Sequence, residues 1–214
     1  MPPAPLILAF DTAGPHCAAA LLRGADLLDA RVEAMERGQA ERLVDLLSEM
    51  LAEQGLGYAD LSALACGTGP GNFTGVRIAV SAARGFALAL NLPAHGVSRF
   101  EAEALDLPRP CLVALDARRG EVYAQRFGEG AHGPALLASG DALPLDGLAA
   151  SRGDISGLPA GHLPPVTPET LARNIARIAH ARLTGGEPAP PPAPLYLRAA
   201  DAAPSRHPAP VMLP

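Results

Sequence analysis

Lysine is absent from this 214-residue chain, whose 17 Lys/Arg-type cations are all arginine. A phosphate-gripping P-loop lysine, a lysine Schiff base and a lysine general base are therefore excluded. Tryptophan is absent too, and aromatics make up only 4% of residues although 49% are hydrophobic. The core must be assembled from Ala, Leu, Val and Ile, packed closely between helices and sheet. Only three cysteines occur, Cys17, Cys66 and Cys111, each in an apolar stretch. That odd number and setting predict buried, reduced thiols. The six histidines lie more than five positions apart, which leaves no HxxxH or HExxH site, and the cysteines are too dispersed for a zinc knuckle. No GxSxG elbow is present. Residues 1–8 lack the charged region of a signal peptide, and no apolar run reaches the roughly 18 residues that span a bilayer. A cytoplasmic location without membrane contact is expected. The net charge is −5 and only Arg118 and Arg119 are adjacent basic residues. A surface of that kind does not attract nucleic acid as a whole, so any RNA is expected to be gripped by another subunit.

What is present alternates between two periods. Leu6–Asp11, Cys17–Leu22 and Leu27–Val32 are short apolar runs joined by tight turns, which predicts an antiparallel meander. Leu43, Leu46, Leu47, Met50 and Leu51 then fall on one stripe of an amphipathic helix. Leu61–Cys66 reads as a buried strand, and a mostly apolar helix is expected from about Val76 to Leu90. Ala94–Val97 and the hairpin Cys111–Asp116/Val122–Phe127 follow. A helix should begin at Thr167, with Pro168 in its first turn. Pro188–Pro194 is a proline-rich connector, Leu195–Leu197 a last short strand, and residues 201–214 a mobile tail. The strand–Asp–turn–strand unit at the start recurs at Leu112–Phe127, which suggests two lobes, 1–108 and 109–200.

Three features carry chemistry. The loop Gly67–Gly75 has four glycines and a proline between strand and helix, so it either cradles phosphate at the helix N-terminus or merely allows tight packing. Asp11 and Asp116 each end an apolar strand, where they either face a magnesium or water in a cleft or cap their own turns. The small residues of the Val76–Leu90 helix allow close approach of another helix. Its apolar sides are either core or an interface patch.

Five blocks resemble the TsaB (YeaZ) family: Leu8–Ala13, the string Gly67-Thr68-Gly69-Pro70-Gly71-Asn72-Phe73-Thr74-Gly75-Val76-Arg77-Ile78, Gly96–Ser98, Leu115–Tyr123 and Leu195–Arg198. They stand in family order and span residues 6 to 198. The resemblance implies an α/β fold of the actin/Hsp70/sugar-kinase type (ASKHA, ribonuclease H-like) with two lobes. After residue 127 the chain is short and proline-rich and matches only at the last block, so the second lobe is expected to be reduced. The family serves threonylcarbamoyladenosine formation in tRNA through binding to the catalytic paralogue TsaD and the small ATPase TsaE. In TsaD two helical histidines hold a metal; the comparable segment here is Gly38-Gln39-Ala40-Glu41-Arg42, so no metal and no catalysis are expected. The family's first two helices bind TsaD or a second copy, which implies an interface of Leu43, Leu46, Leu47, Met50, Val76, Ala79, Val80, Ala83 and Ala87. Candidate nucleotide contacts are Asp11, Thr12, Gly69, Gly71, Thr74, Gly75 and Asp116, with ATP and magnesium belonging to the complex rather than to this chain. The competing readings are an independent ATP-using phosphotransferase or ATPase of the same fold, and an M22-type peptidase.

Overall fold

The computed structural model describes residues 3–138 and 141–198, so the expectation for the tail lies outside the described residues. Five strands form the first sheet: β1 (Leu6–Asp11), β2 (His16–Arg23), β3 (Asp26–Ala34), β4 (Ala63–Gly67) and β5 (Ala94–Val97), in the order β3-β2-β1-β4-β5. The first three run antiparallel, and β4 and β5 are parallel to β1. Because strand side chains alternate between faces, each central strand feeds two cores. Leu6, Leu8 and Phe10 of β1 lie in one cluster and Ile7 and Ala9 in the other. In β2 the division is the same: Cys17, Ala19 and Leu21 against Ala18, Ala20 and Leu22.

On the first face lie helices α1 (Gln39–Glu53) and α2 (Phe73–Leu90). Leu43, Leu46, Leu47, Met50 and Leu51 of α1 and Val76, Ala79, Val80 and Ala83 of α2 join Leu8 and Phe10 in one cluster, each 3% exposed or less. This corrects the interface expectation for eight of its nine residues. Their side chains pack inside the chain's own core and are unavailable to a partner, while Ala87 is half-buried against the same core. The stripe pattern was right and its destination was not, because core and interface stripes share one period. The outer face of the pair is another set: Val44 is 46% exposed and Leu88 87%. By length and composition α2 is apolar enough to cross a membrane, contrary to the expectation that no run would be, yet it carries Arg77 and Arg84.

Second-lobe strands β6 (Cys111–Asp116), β7 (Val122–Phe127), β8 (His132–Leu137) and β9 (Ala150–Gly153) are ordered β8-β7-β6-β9. The hairpin partner of β6 is antiparallel and its other neighbour, β9, parallel, so the sheet repeats the first without β5. One face meets Phe100 and Ala104 of helix α3 (Arg99–Ala104) together with Leu195 and Leu197. The other is covered by Leu143, Leu145, Leu148, Ile155 and Leu158, which lie outside any helix or strand, so this lobe is the reduced one. Leu195–Leu197 forms no strand; Leu195 N–H donates to Thr68 O at 2.8 Å.

Helix α4 (Pro168–Thr184) starts as expected, Thr167 Oγ1 accepting from Thr170 N at 3.2 Å with Pro168 in the first turn. It does not stay with the second sheet. Leu171, Ala172, Ile175, Ala176 and Ala179 pack on Ile7, Ala9, Ala18, Ala20 and Leu22, so α4 covers the second face of the first sheet. The lobe boundaries are therefore not contiguous in sequence as 1–108 and 109–200 had them.

Cys17, Cys66 and Cys111 are free and buried. Burial, with a smaller push from the Asp11 charge, raises the Cys66 thiol to about 12. Burial and then Glu33 raise Cys17 to about 11. A raised thiol stays protonated and non-nucleophilic at neutral pH. We expect neither to react with an aromatic disulfide reagent at pH 8 in the native protein, and both to react in guanidinium. Rapid native labelling of either would contradict their placement.

Candidate functional site

The turn after β1 and the loop after β4 are joined to each other. Asn72 N–H donates to Ala13 O at 2.7 Å and Thr12 Oγ1–H to Gly75 O at 2.7 Å. Asn72 caps α2, its Oδ1 accepting from Gly75 N at 3.0 Å. A Cβ on Gly75 would stand 1.9 Å from Thr12 O, and one on Gly71 2.6 Å from Ala13 O. Gly69 has φ +86, a conformation that suits glycine. The hollows beside Gly71 and Gly75 are filled by the neighbouring turn and the one beside Gly69 by Val76, so they are not left open toward a phosphate. The loops therefore do not fit a phosphate cradle in this arrangement. Thr74, the remaining loop candidate, is exposed on the first turn of α2.

Asp11 is 3% exposed. Its Oδ1 accepts from Ala13 N at 3.1 Å and lies 3.1 Å from His16 Nε2. Its Oδ2 presses on Gly67, where a Cβ would stand 1.9 Å away. Together with Pro70, Arg99 and Glu103 the pair lines a cleft of about 340 Å³. Glu103 is fully buried, accepting from Val166 N at 2.8 Å and from Arg99 Nε at 3.4 Å. Burial pushes its carboxyl above the ordinary range, while the Val166 N–H and the Arg99 and Arg152 charges act against that. The cleft thus holds a carboxylate–imidazole pair, but none of its lining residues is a Ser, Thr, Cys or Lys nucleophile.

Asp116 does not line this cleft. It is exposed on β6, its Oδ1 accepting from Arg118 N at 2.8 Å and its N–H donating to Asp154 Oδ1 at 2.7 Å. Each aspartate thus bonds the N–H two residues on, Asp11 to Ala13 and Asp116 to Arg118, as turn caps do. The structure brings Asp11, Thr12 and the glycines together and leaves Asp116 apart. Among the described residues no group of three or more His, Cys, Asp or Glu is placed to hold a metal ion. His16 and Glu103 were missed in the sequence. Ser98-x-x-Glu101 was a readable capping box for α3, where Glu103 sits, and His16 follows the β1 turn directly.

The remaining surface feature is the outer face of α1 and α2. Five of the 18 residues of α2 are fully buried, and Ile78, Ala82, Phe86 and Ala87 are partly buried against the same core. Phe86 stacks on Tyr58 with ring centroids 5.0 Å apart. Val44 stands beside that pair, its carbonyl accepting from Tyr58 Oη at 3.4 Å, whereas Leu88 lies on another side of α2, in a hollow shared with Leu92, Pro191 and Pro192. Arg31 with Glu53 and Arg42 with Glu33 tie edge strand β3 to α1, and Arg42 also pairs with Glu49 on its own helix.

The family model of TsaD, tRNA N6-adenosine threonylcarbamoyltransferase, matches residues 33–149. An uncharacterized protein of Mycobacterium tuberculosis is 39% identical over 206 residues, covering 92% of this chain and 94% of its own. The tRNA threonylcarbamoyladenosine biosynthesis protein TsaB of Escherichia coli is 40% identical over 122 residues, covering 55% of this chain and 52% of that protein. A Pseudomonas aeruginosa structure described as similar to peptidase YeaZ superposes with a TM-score of 0.72 at 30% identity, covering 91% of this chain and 100% of that one. YeaZ of the same organism gives 0.69 at 29%, covering 90% and 100%. With relatives matched nearly end to end and the same two-sheet α/β architecture of the ribonuclease H-like, ASKHA type, this chain belongs to the TsaB/YeaZ family.

Proposed function

We propose that this chain is a non-catalytic adaptor in the formation of threonylcarbamoyladenosine at position 37 of tRNAs. It works in the cytoplasm by binding and activating the catalytic paralogue TsaD, in an assembly that also takes TsaE. ATP and magnesium are used by that assembly and not by this chain alone. The observation that carries the reading is α2, an apolar helix with only five of its 18 residues fully buried in its own chain. Leu88 on α2, and Val44 beside the Tyr58–Phe86 stack, are exposed apolar side chains of the kind that mark protein interfaces. A stable pairing there needs roughly 1,000 Å² or more of buried surface. A second copy takes the same face when TsaD is missing. The interlocked loops agree with an adaptor, since they spend on one another the groups that would grip a phosphate.

Size-exclusion chromatography with light scattering, on this chain alone and mixed with its cognate TsaD, tests the proposal. A stoichiometric heterocomplex is expected. Leu88→Glu should weaken it by about tenfold or more, a loss of ~1.4 kcal/mol, without moving the melting temperature of the free chain. Failure to associate under any nucleotide condition would overturn the adaptor reading. Thermal stabilisation by Mg-ATP would then favour an independent ATP-using enzyme.

A further inference from the structure

Three separate segments meet at one exposed strip. Phe73 and Arg77 stand four residues apart on the first turns of α2, and so share a face. Tyr196 and Arg198 alternate with Leu195 and Leu197, which pack into the second-lobe core. Arg118 and Arg119 form the tip between β6 and β7. Arg77 joins the aromatics: its guanidinium lies 3.8 Å from the Phe73 ring centroid and its Nε–H donates to Tyr196 Oη at 2.8 Å. The rings themselves are 5.3 Å apart. Arg198 joins the tip, donating to Ala117 O at 2.9 Å and pairing with Glu121.

Two properties mark this strip. In a chain with three Tyr and five Phe, two aromatics stand side by side about half exposed, Phe73 at 49% and Tyr196 at 47%. In a chain of net charge −5, four arginines gather here. Three carboxylates stand beside them: Glu121 pairs with Arg198, and Asp116 and Asp154 accept from the Arg118 and Asp116 N–H groups, so four arginines against three carboxylates leave the strip one positive charge in excess. The tip is also strained, with φ of 64 at Arg118 and 56 at Arg119 before Gly120 at 76. Glycine or asparagine would take these angles more easily, and strain of this kind collects where side chains have work to do.

From this strip we infer direct contact with a single-stranded polynucleotide, whose bases stack on Phe73, Tyr196 and the Arg77 plane and whose phosphates meet Arg118 and Arg119 at the tip that Arg198 braces. Stacking platforms beside cationic side chains bind unpaired strands with little sequence preference. The proposal goes beyond the adaptor role and replaces the expectation that RNA is met only through a partner.

Fluorescence anisotropy of the full chain, without TsaD, tests it with labelled oligouridine of about 12 nucleotides, oligothymidine of the same length and a matching RNA duplex. Saturable binding of oligouridine is expected, weaker for the duplex. Tyr196→Ala should weaken it about fivefold or more with an unchanged salt slope. Arg118→Gln/Arg119→Gln should flatten the slope of log K against log salt by about 1.4. Melting curves of both variants establish that they are folded, and the arginine pair stands as the test if Tyr196→Ala loosens the segment. Equal binding of oligothymidine identifies the shared base-and-phosphate chemistry; preference for oligouridine adds the 2′-hydroxyl; both support the strip. No binding at low salt, duplex bound as tightly as single strand, or folded variants that bind like the parent would overturn it. None of these outcomes depends on whether TsaD associates.

Discussion

Val80→Glu is expected to abolish cooperative folding of the free chain, and not simply to weaken a complex. Val80 is 3% exposed in the cluster that joins α1, α2 and the first sheet. Among the described residues no arginine is buried, so a carboxylate there either loses its charge or drags water into the core. Such a change costs on the order of 4 kcal/mol or more, against a total stability of ~5–15 kcal/mol for a domain. Val80→Ala, which only removes methyl groups, should cost about 2 kcal/mol and leave a cooperative urea transition. Leu88→Glu puts the same charge two turns along the same helix at a side chain 87% exposed, and should leave the transition where it was. If Val80→Glu melted like the parent while losing TsaD, the core assignment of the α2 stripe would be wrong.

Gly75→Ala is expected to cost about 3 kcal/mol despite placing a better helix former in α2. The added Cβ would stand 1.9 Å from Thr12 O and 2.9 Å from Thr12 C. Both are backbone atoms of a buried turn, so relief requires the whole β1–β2 turn to retreat. That retreat breaks the Thr12–Gly75 and Asn72–Ala13 hydrogen bonds together. Alanine's helix preference over glycine offsets only about 1 kcal/mol. Overpacking of a tight contact costs ~1–3 kcal/mol, and more when a hydrogen bond is lost with it. Gly85→Ala is the opposite case on the same helix. Nothing lies within 4 Å of its Cβ position, so the propensity gain stands alone and the variant should melt higher. Denaturant midpoints of the two variants measure the difference. Equal stabilisation by both would show the loops to be looser than their contacts indicate.

Much of the fold was legible where one period dominates a segment. The runs Leu6–Asp11 and Cys17–Leu22 became β1 and the body of β2, and the Leu43–Leu51 stripe became the buried face of α1. Each is long enough for alternation or a 3.6-residue stripe to show. The same stripe concealed its own destination. A row of leucines is apolar whether a sheet or another molecule covers it, and only the position of Leu8 and Phe10 beneath α1 decides. Strand β8 was illegible because Gly133 and Pro134 interrupt it, and β9 because Ala150-Ser151-Arg152-Gly153 carries no apolar side chain larger than alanine. The glycine loop was noticed for its composition, but its role rests on Ala13 and Thr12, some sixty positions away. A contact of that span leaves no local trace. The stacked Arg77 was likewise out of reach, since Tyr196 lies 119 residues further along.

The return of α4 to the first sheet has a consequence for the order of events during synthesis. Strands β1, β2 and β4 are made early, yet the face bearing Ile7, Ala9 and Ala18 stays bare until residues 168–184 arrive. The ribosome must therefore release most of the second lobe before the first can close. Sheet pairing that waits on so distant a segment is slow, and an uncovered apolar face is open to wrong partners in the interval. A nascent chain halted after the β6–β7 hairpin would be an unfinished layer, one sheet covered on one side, and not a small folded lobe.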